Sequence, residues 1–530
     1  MPAPKKQNFL HGALILSAAT ALVKIIGAVF KIPLQNLIGP TGYSYFDIAY
    51  SIYSTLFVIS SAGLPVAISK MVSEAGARRR FVETRHIFRL ALGAFVCIGA
   101  AGSLVLFFGA RALAGWMGNP DAYQAIMAIA PSVLFVSVMS AFRGYHQGQG
   151  NMYPTAISQV IEASCKLGVG YLLAAWVYSS DLGLERAAAA AISGVTVGSV
   201  MGALYMVLAR RRRLEVIPAG ADPAVRSRRA LLREILRLSV PVTISASVLS
   251  LTNLIDKGLV MNRLVSAGYA LPAAKKVVGA YSFAQTLFNL PSAFILTISV
   301  SIIPALTVAL THRDDKSADG TIRSALRITS LLAMPAAAGL SSLALPILTL
   351  LSMHQPETVE IAAPLLVTLG FAVVFVCLVS LTNAILQAMG LVNVPIVTMF
   401  AGGCVKLVAN YFLVGNPDVN IAGAPVGTVL CYAVIALLNL GVIMRVRGGA
   451  RFWGVFVRPL LAAAGMGAFA HLFYRFVTDV AGCGIPLGGV ISMAAAVVVY
   501  GALVLLLRAV PREDVLLLPR GEKLVKFMKL

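Results

Sequence analysis

Eight ionisable side chains lie inside stretches that are otherwise apolar: Lys24, Lys31, Asp47, Glu162, Lys166, Asp256, Lys257 and Lys406. A charge at the centre of a bilayer costs roughly 2.5–3.5 kcal/mol, so these residues belong in a watery interior and mark where ligand chemistry would take place. Five are lysines and three are acids. That balance suits an anionic group such as a phosphate or pyrophosphate. Lysine binds phosphate as a point charge, and the lack of arginine within the apolar stretches argues against strict bidentate recognition.

Spacing and depth sort the eight. Lys24 and Lys31 are seven apart and share one helix face. Lys24, Lys166 and Lys406 each lie roughly 21 Å along their helices, near the midplane. Lys31 and Asp47 lie nearer an outer end, where snorkelling to the interface is an equal alternative. Glu162 and Lys166 are four apart with the acid first, which also allows a purely structural ion pair. Lys406 has no acid on its own helix, so Asp256 is its expected partner, with Asn410 one turn further on. An ammonium there would occupy the place of a transporter's sodium ion. The candidate substrate-binding residues are therefore Lys24, Lys31, Asp47, Lys257 and Arg263, and the candidate charge network is Glu162, Lys166, Asp256, Lys406 and Asn410.

The elements that position them must be membrane helices. In 530 residues, 58% are hydrophobic and 12% charged, too few polar groups to cover a soluble globule of this size. Apolar segments long enough to cross a roughly 30 Å hydrocarbon core can be counted at about 9–32, 43–69, 87–110, 122–142, 152–178, 187–209 and 235–262. Seven more follow at about 277–310, 322–352, 360–387, 392–414, 421–444, 453–474 and 485–507. The expectation is an all-α integral membrane protein of fourteen transmembrane helices.

The net charge of +22 could indicate nucleic acid, but the 43 Lys and Arg concentrate in alternate connections. Arg78 to Arg80, the run Arg210 to Arg213 with Arg226, Arg228 and Arg229, and the tail with Lys523, Lys526 and Lys529 all fall on one side. By the positive-inside rule both termini are expected to be cytoplasmic, with anionic lipid headgroups rather than nucleic acid as the basic partners. One connection, residues 263–276, breaks the pattern by carrying Arg263, Lys275 and Lys276 on the outside.

The chain reads as duplicated. Gln147, Gly150, Lys166, Leu167 and Tyr171 recur with the same spacing as Gln387, Gly390, Lys406, Leu407 and Tyr411, and Tyr43 to Phe46 parallels Tyr281 to Phe283. Two pseudo-symmetric six-helix lobes are expected around a central cationic cavity, related as parallel-repeat transporters are. Residues 1–209 form the first lobe, 210–234 a basic linker and 235–446 the second lobe. Residues 447–530 supply two further helices and a basic tail.

Other motifs are structural or point away from enzymes. Gly194, Gly198 and Gly202 make a small-residue face for close helix packing. Pro65, Pro131, Pro241, Pro304, Pro335 and Pro364 lie inside spans as kinks. The six cysteines form no CxxC pair, the histidines are scattered, and no P-loop or HExxH is present. Neither a metal nor a cofactor is expected. A membrane glycosyltransferase is disfavoured because the outside loops are short.

The segment FRGYHQGQGNMYPTAISQVIE, with LIGPTGYSYFDIAYSIYSTLFVISSAGLPVAISKMVSEA before it and VGAYSFAQTLFNLPSAF after it, resembles the polysaccharide-biosynthesis branch of the multidrug/oligosaccharidyl-lipid/polysaccharide exporter superfamily. Within that branch the likeness is to MurJ-type lipid II flippases and SpoVB-like sporulation proteins. The resemblance implies an alternating-access flippase in the bacterial plasma membrane. It would move an undecaprenyl-pyrophosphate-type lipid-linked oligosaccharide, lipid II above all, from the inner to the outer leaflet, and would act as a monomer. It also implies that Lys24, three residues before Gly27, lines the cavity. Where Gram-negative relatives carry an acid at the start of helix two, this chain has Tyr45, with Asp47 two residues on. Flipping of another lipid-linked polysaccharide, or cation-coupled drug export within the same superfamily, are the alternatives.

Overall fold

A computed structural model describes residues 9–211, 226–352, 355–447 and 454–510, and every regular element among these is a helix. The chain forms two compact units, Met1–Ser282 and Phe283–Leu530. The tail lysines and residues 212–225 of the basic linker lie outside the described residues.

The first unit is built from α1 (Phe9–Ala77), α2 (Phe81–Trp116), α3 (Tyr123–Gly148), α4 (Tyr153–Cys165), α5 (Tyr171–Ser179), α6 (Leu184–Arg211), α7 (Arg228–Ser266) and the start of α8 (Leu271–Phe288). At 1.5 Å per residue, the 69 residues of α1 would extend to roughly 100 Å, about three times the hydrocarbon thickness. The helix is broken at Gly39, whose φ of 66° and ψ of 178° leave the helical region. Gly39 takes the positive φ without a Cβ penalty, and Pro40 after it starts the next leg with a pre-set φ and no N–H to satisfy. The first two expected spans are the two legs of α1. Among the described residues ten helices are long and apolar enough to cross a membrane, or eleven if one bent pair counts as a single span, and this tally takes α1 once.

The core of this unit joins Ile68 and Met71 of α1, Phe88 of α2, Tyr145 of α3 and Met206 of α6 to Leu231 and Ile235 of α7. Helix α7, expected in the second lobe, thus shares this core with α1, α2, α3 and α6. The glycine face of α6 packs as expected: Gly194 lies against Gly170, Gly198 against the backbone of Glu162, and Gly202 against the Met139 sulfur. Large apolar side chains such as Val105, Phe108, Leu172 and Trp176 are exposed, as on a surface solvated by lipid.

The second unit contains the end of α8, then α9 (Leu290–Thr311), α10 (Asp315–Ser342), α11 (Ala344–Leu351), α12 (Pro356–Ala388), α13 (Val394–Leu413), α14 (Gly423–Val446), α15 (Gly454–Arg475) and α16 (Ile485–Leu506). Two spans expected to be continuous are broken. The 277–310 segment divides between α8 and α9 just before Pro291, and the 322–352 segment bends by 79° between α10 and α11, just before Pro346. Each proline removes an N–H from the i→i−4 ladder, so the helix is interrupted upstream of it. Leu326, Leu381, Ile385 and Ile435 form the core.

The sequence repeat has a matching local structure. Gly150 donates to the Gln147 carbonyl at 2.9 Å and Gly390 to that of Gln387 at 3.0 Å, with φ of +75° and +80°. Each glycine closes one helix and turns the chain into the next, the αL cap that a residue with a Cβ would adopt only under strain.

Candidate substrate-binding site

Four aromatic rings, Phe46, Tyr50, Tyr53 and Phe57, form a ladder along the second leg of α1, with successive centroids 5.7, 6.0 and 5.9 Å apart. Their spacing of four, three and four keeps them on one helix face. Tyr50 is the contact point for two lysines. The Lys31 ammonium, from the first leg of α1, lies 4.8 Å from its ring centroid, and that of Lys166 lies 4.9 Å away. Lys166 is also 5.6 Å from the Phe30 ring, and a Cβ added at Gly27 would sit 3.6 Å from its Nζ. Two cations therefore converge on Tyr50, both within reach of its π face, and Lys166 also hydrogen-bonds its hydroxyl. Lys24, exposed and three residues before Gly27, continues the face that carries Gly27 and Lys31.

Asp47 sits one turn before Tyr50 and is almost fully buried. It pairs with Lys257 of α7, which also donates to the Ser51 hydroxyl at 2.7 Å. Ser282 is a further hydrogen-bond partner of Asp47. The Thr55 hydroxyl donates to the Ser250 carbonyl at 3.3 Å, so α7 is held to the second leg of α1 at two levels. Asp47, Lys257 and Lys166 are all within electrostatic reach of Lys31. The structure thus brings together four of the sequence-predicted residues.

Glu162 departs from expectation. Its carboxylate accepts from Tyr53 at 2.6 Å and from Arg143 at 3.3 Å, so its partner is not Lys166 four residues on. Arg143 in turn donates from Nε to Ser158 at 3.1 Å and is buried. The apolar run ends at about residue 142, which places Arg143 in a turn on the sequence alone. Helix α3 instead continues to Gly148 and carries the guanidinium inward. An arginine is therefore part of the charge network after all. At Lys166 the helix widens into a five-residue π turn, Lys166–Gly170, before α5 resumes. Such turns interrupt the regular ladder and recur at functional sites.

Asp256 is buried on α7, and Arg263 lies in the last turn of α7. The connection expected at 263–276 shortens to a few residues, because α7 runs to Ser266 and α8 begins at Leu271. The awkward positive charge is compensated: Lys275 pairs with Asp121 and lies 5.5 Å from the Tyr45 ring, while the Tyr45 hydroxyl donates to Asp121 at 3.4 Å.

In the second unit Lys406 and Asn410 are buried on α13, and the Asn410 amide packs against Gly427 of α14 where no side chain would fit. A buried polar group unforeseen in the sequence lies nearby in the chain. Thr398 donates to Asn439 at 2.8 Å, and Asn439 donates to Thr382 and Asn383 at 3.0 and 2.9 Å. It ties α12, α13 and α14 together.

Residues 9–310 match the model of a family described as polysaccharide biosynthesis protein. The chain belongs to that family. Residues 259–412 also match the MatE family, and both place the protein in the multidrug/oligosaccharidyl-lipid/polysaccharide exporter superfamily, as a multi-pass bacterial membrane protein. Curated relatives span the whole chain. The membrane protein YabM of Bacillus subtilis (strain 168) is 28% identical over 99% of this chain and 97% of its own length. Stage V sporulation protein B of the same organism is 24% identical over 97% and 98%. Its lipid II flippase MurJ is 25% identical over 94% and 93%. Among solved structures, lipid II flippase MurJ in an inward closed conformation superposes with a TM-score of 0.69 at 13% identity, covering 92% of this chain and 97% of that one. An inward-facing multidrug transporter of the MATE family gives 0.69 at 15% identity, covering 82% and 98%. These likenesses establish the fold.

Proposed function

We propose that this protein is an alternating-access flippase that moves a polyprenyl-pyrophosphate-linked saccharide, lipid II in particular, from the inner to the outer leaflet of the plasma membrane, with both termini cytoplasmic. The observation that carries the reading is the convergence of Lys31 and Lys166 on Tyr50 beside the Lys257–Asp47 pair. Glu162 is engaged by Arg143 and Tyr53, and among the described residues Asp47 is the acid whose charge reaches Lys31. A pyrophosphate, multiply charged and accepting on every oxygen, is a ligand for such a cluster. Lys24, on the same face of α1, would meet it first, and Lys257 and Arg263 would lie further along α7. Relatives named as lipid II flippases support the substrate assignment.

The test is complementation of a bacterial strain depleted of its lipid II flippase, read as growth and as accumulation of inner-leaflet precursor. Wild-type protein is expected to rescue, and Lys24→Ala and Lys166→Ala to fail while still reaching the membrane. Rescue by both variants would remove the proposed site, and no rescue by the wild type would remove lipid II as the substrate. The match to the MatE family favours a second reading, cation-coupled drug export. In that case drug resistance would survive Lys24→Ala.

A further inference from the structure

The two helices outside the sequence repeat, α15 and α16, pack on the bend between α10 and α11. Helix α10 runs through Pro335 to Ser342, and α11 leaves it at 79°. In a regular helix the Leu331 carbonyl would accept from the N–H of residue 335. Pro335 has no N–H, so that carbonyl loses its partner within the helix, and the hydrocarbon of a membrane offers it none. The Tyr500 hydroxyl of α16 takes the place of the missing donor, 2.8 Å from the Leu331 oxygen.

Two more residues of the same α16 face meet the bend. Tyr500, Ala496 and Gly489 are four and seven residues apart and so lie on one side of the helix. Ala496 shares a core cluster with Leu343, the residue at the bend, and with Met466 and Ala470 of α15. Gly489 lies against Pro346 of α11, where an added Cβ would be 2.6 Å from the proline Cβ. One face of α16 therefore touches α11, the bend and α10 in turn, over roughly 16 Å. Helix α11 has eight residues, too few to be stable without such packing. With a contact on each side of the bend, α16 fixes the angle between its two arms. We propose that α16 is a strut for the α10–α11 bend and that the Tyr500–Leu331 hydrogen bond is its release point. When the hydroxyl lets go, α10 flexes at Pro335 and the arm beyond it, with α11, swings. The device is independent of what the protein carries.

The experiment is hydrogen–deuterium exchange of the full-length protein in detergent, read by mass spectrometry on peptides covering residues 336–352 and, as a reference, on peptides of α3 and α6. Tyr500→Phe keeps the ring and removes only the hydroxyl. It is expected to speed exchange over 336–352 roughly two- to ten-fold, the effect of one lost hydrogen bond on a local opening equilibrium, and to leave α3 and α6 unchanged. Pro335→Ala restores an N–H for the Leu331 carbonyl. In that background the same Tyr500→Phe step should change exchange by less than about two-fold, because the hydroxyl is no longer the carbonyl's donor. Gly489→Ala, whose new methyl presses on Pro346, should speed exchange of α11 by itself, and the Tyr500 variants test the strut even if this one fails to fold. No change over 336–352 in Tyr500→Phe, or an equal change with and without Pro335, overturns the release point. Unchanged exchange of α11 in Gly489→Ala overturns Pro346 as the second foot of the strut. A rise in Tyr500→Phe spread equally over α3 and α6 reports a general loss of stability and overturns the device as well.

Discussion

Lys257 and Asp47, 210 residues apart in sequence, form an ion pair inside the first unit, with Ser51 taking a further hydrogen of the ammonium at 2.7 Å. The pair links α7 to the second leg of α1 at the level of the lysine cluster. Breaking one side of a buried pair leaves an uncompensated charge and costs about 3–5 kcal/mol. The lower end applies here, because the Lys257 side chain is 23% exposed. Asp47→Asn is therefore expected to lower the unfolding temperature in detergent clearly, and the double variant Asp47→Lys with Lys257→Asp to recover most of it. Failure of the exchange to recover anything would show that the pair contributes through its surroundings.

Tyr50 is expected to act through its ring and its hydroxyl. Tyr50→Phe keeps the π face that Lys31 and Lys166 share but loses the hydrogen bond with Lys166, and should support reduced growth in the complementation assay. Tyr50→Leu should not, because each cation would lose about 0.5–2 kcal/mol of attraction. Equal growth of the two variants would mean that the lysines are positioned by other contacts.

Arg143 and Glu162 should behave as one unit. Either single change, Arg143→Met or Glu162→Met, strands a buried charge, whereas the double change removes both. A double-mutant cycle on thermal stability is expected to show the double variant more stable than at least one of the singles. Strict additivity would separate the two residues.

Asp121 and Lys275 differ in exposure, and that predicts an asymmetry. The Lys275 side chain is 7% exposed and that of Asp121 is 39%. Asp121→Asn leaves a buried cation without its partner, while Lys275→Met leaves an acid that water can solvate. The first should destabilise more than the second in thermal unfolding, and the reverse order would mean that the lysine gains its stability from the Tyr45 ring.

Much of this was legible in the sequence. The all-helical membrane class follows from composition, since apolar runs of this length have no other stable state in a bilayer. The repeat was legible because Gln147 with Gly150 and Gln387 with Gly390 make the same cap, and that cap needs those residues locally. Lys24, Lys31, Asp47, Lys166 and Lys257 stand out because a charge is costly in an apolar run. Arg143 was missed because hydropathy marks where a span becomes polar and not where its helix stops. The four-three-four spacing of Phe46, Tyr50, Tyr53 and Phe57 was present but silent, since aromatic residues in a membrane helix are unremarkable until a cation lies on them.

Composition and pattern thus decided which residues are charged, where they lie along their helices and that a charge there needs water or a partner, all of which depend on solvation and on neighbours in sequence. Partner choice was decided only by the tertiary fold. Glu162 pairs with Arg143 rather than Lys166, and Lys166 turns to Tyr50, because the packing of α3, α4 and α1 sets which groups share a small desolvated volume. Linear spacing carries no information about that distance.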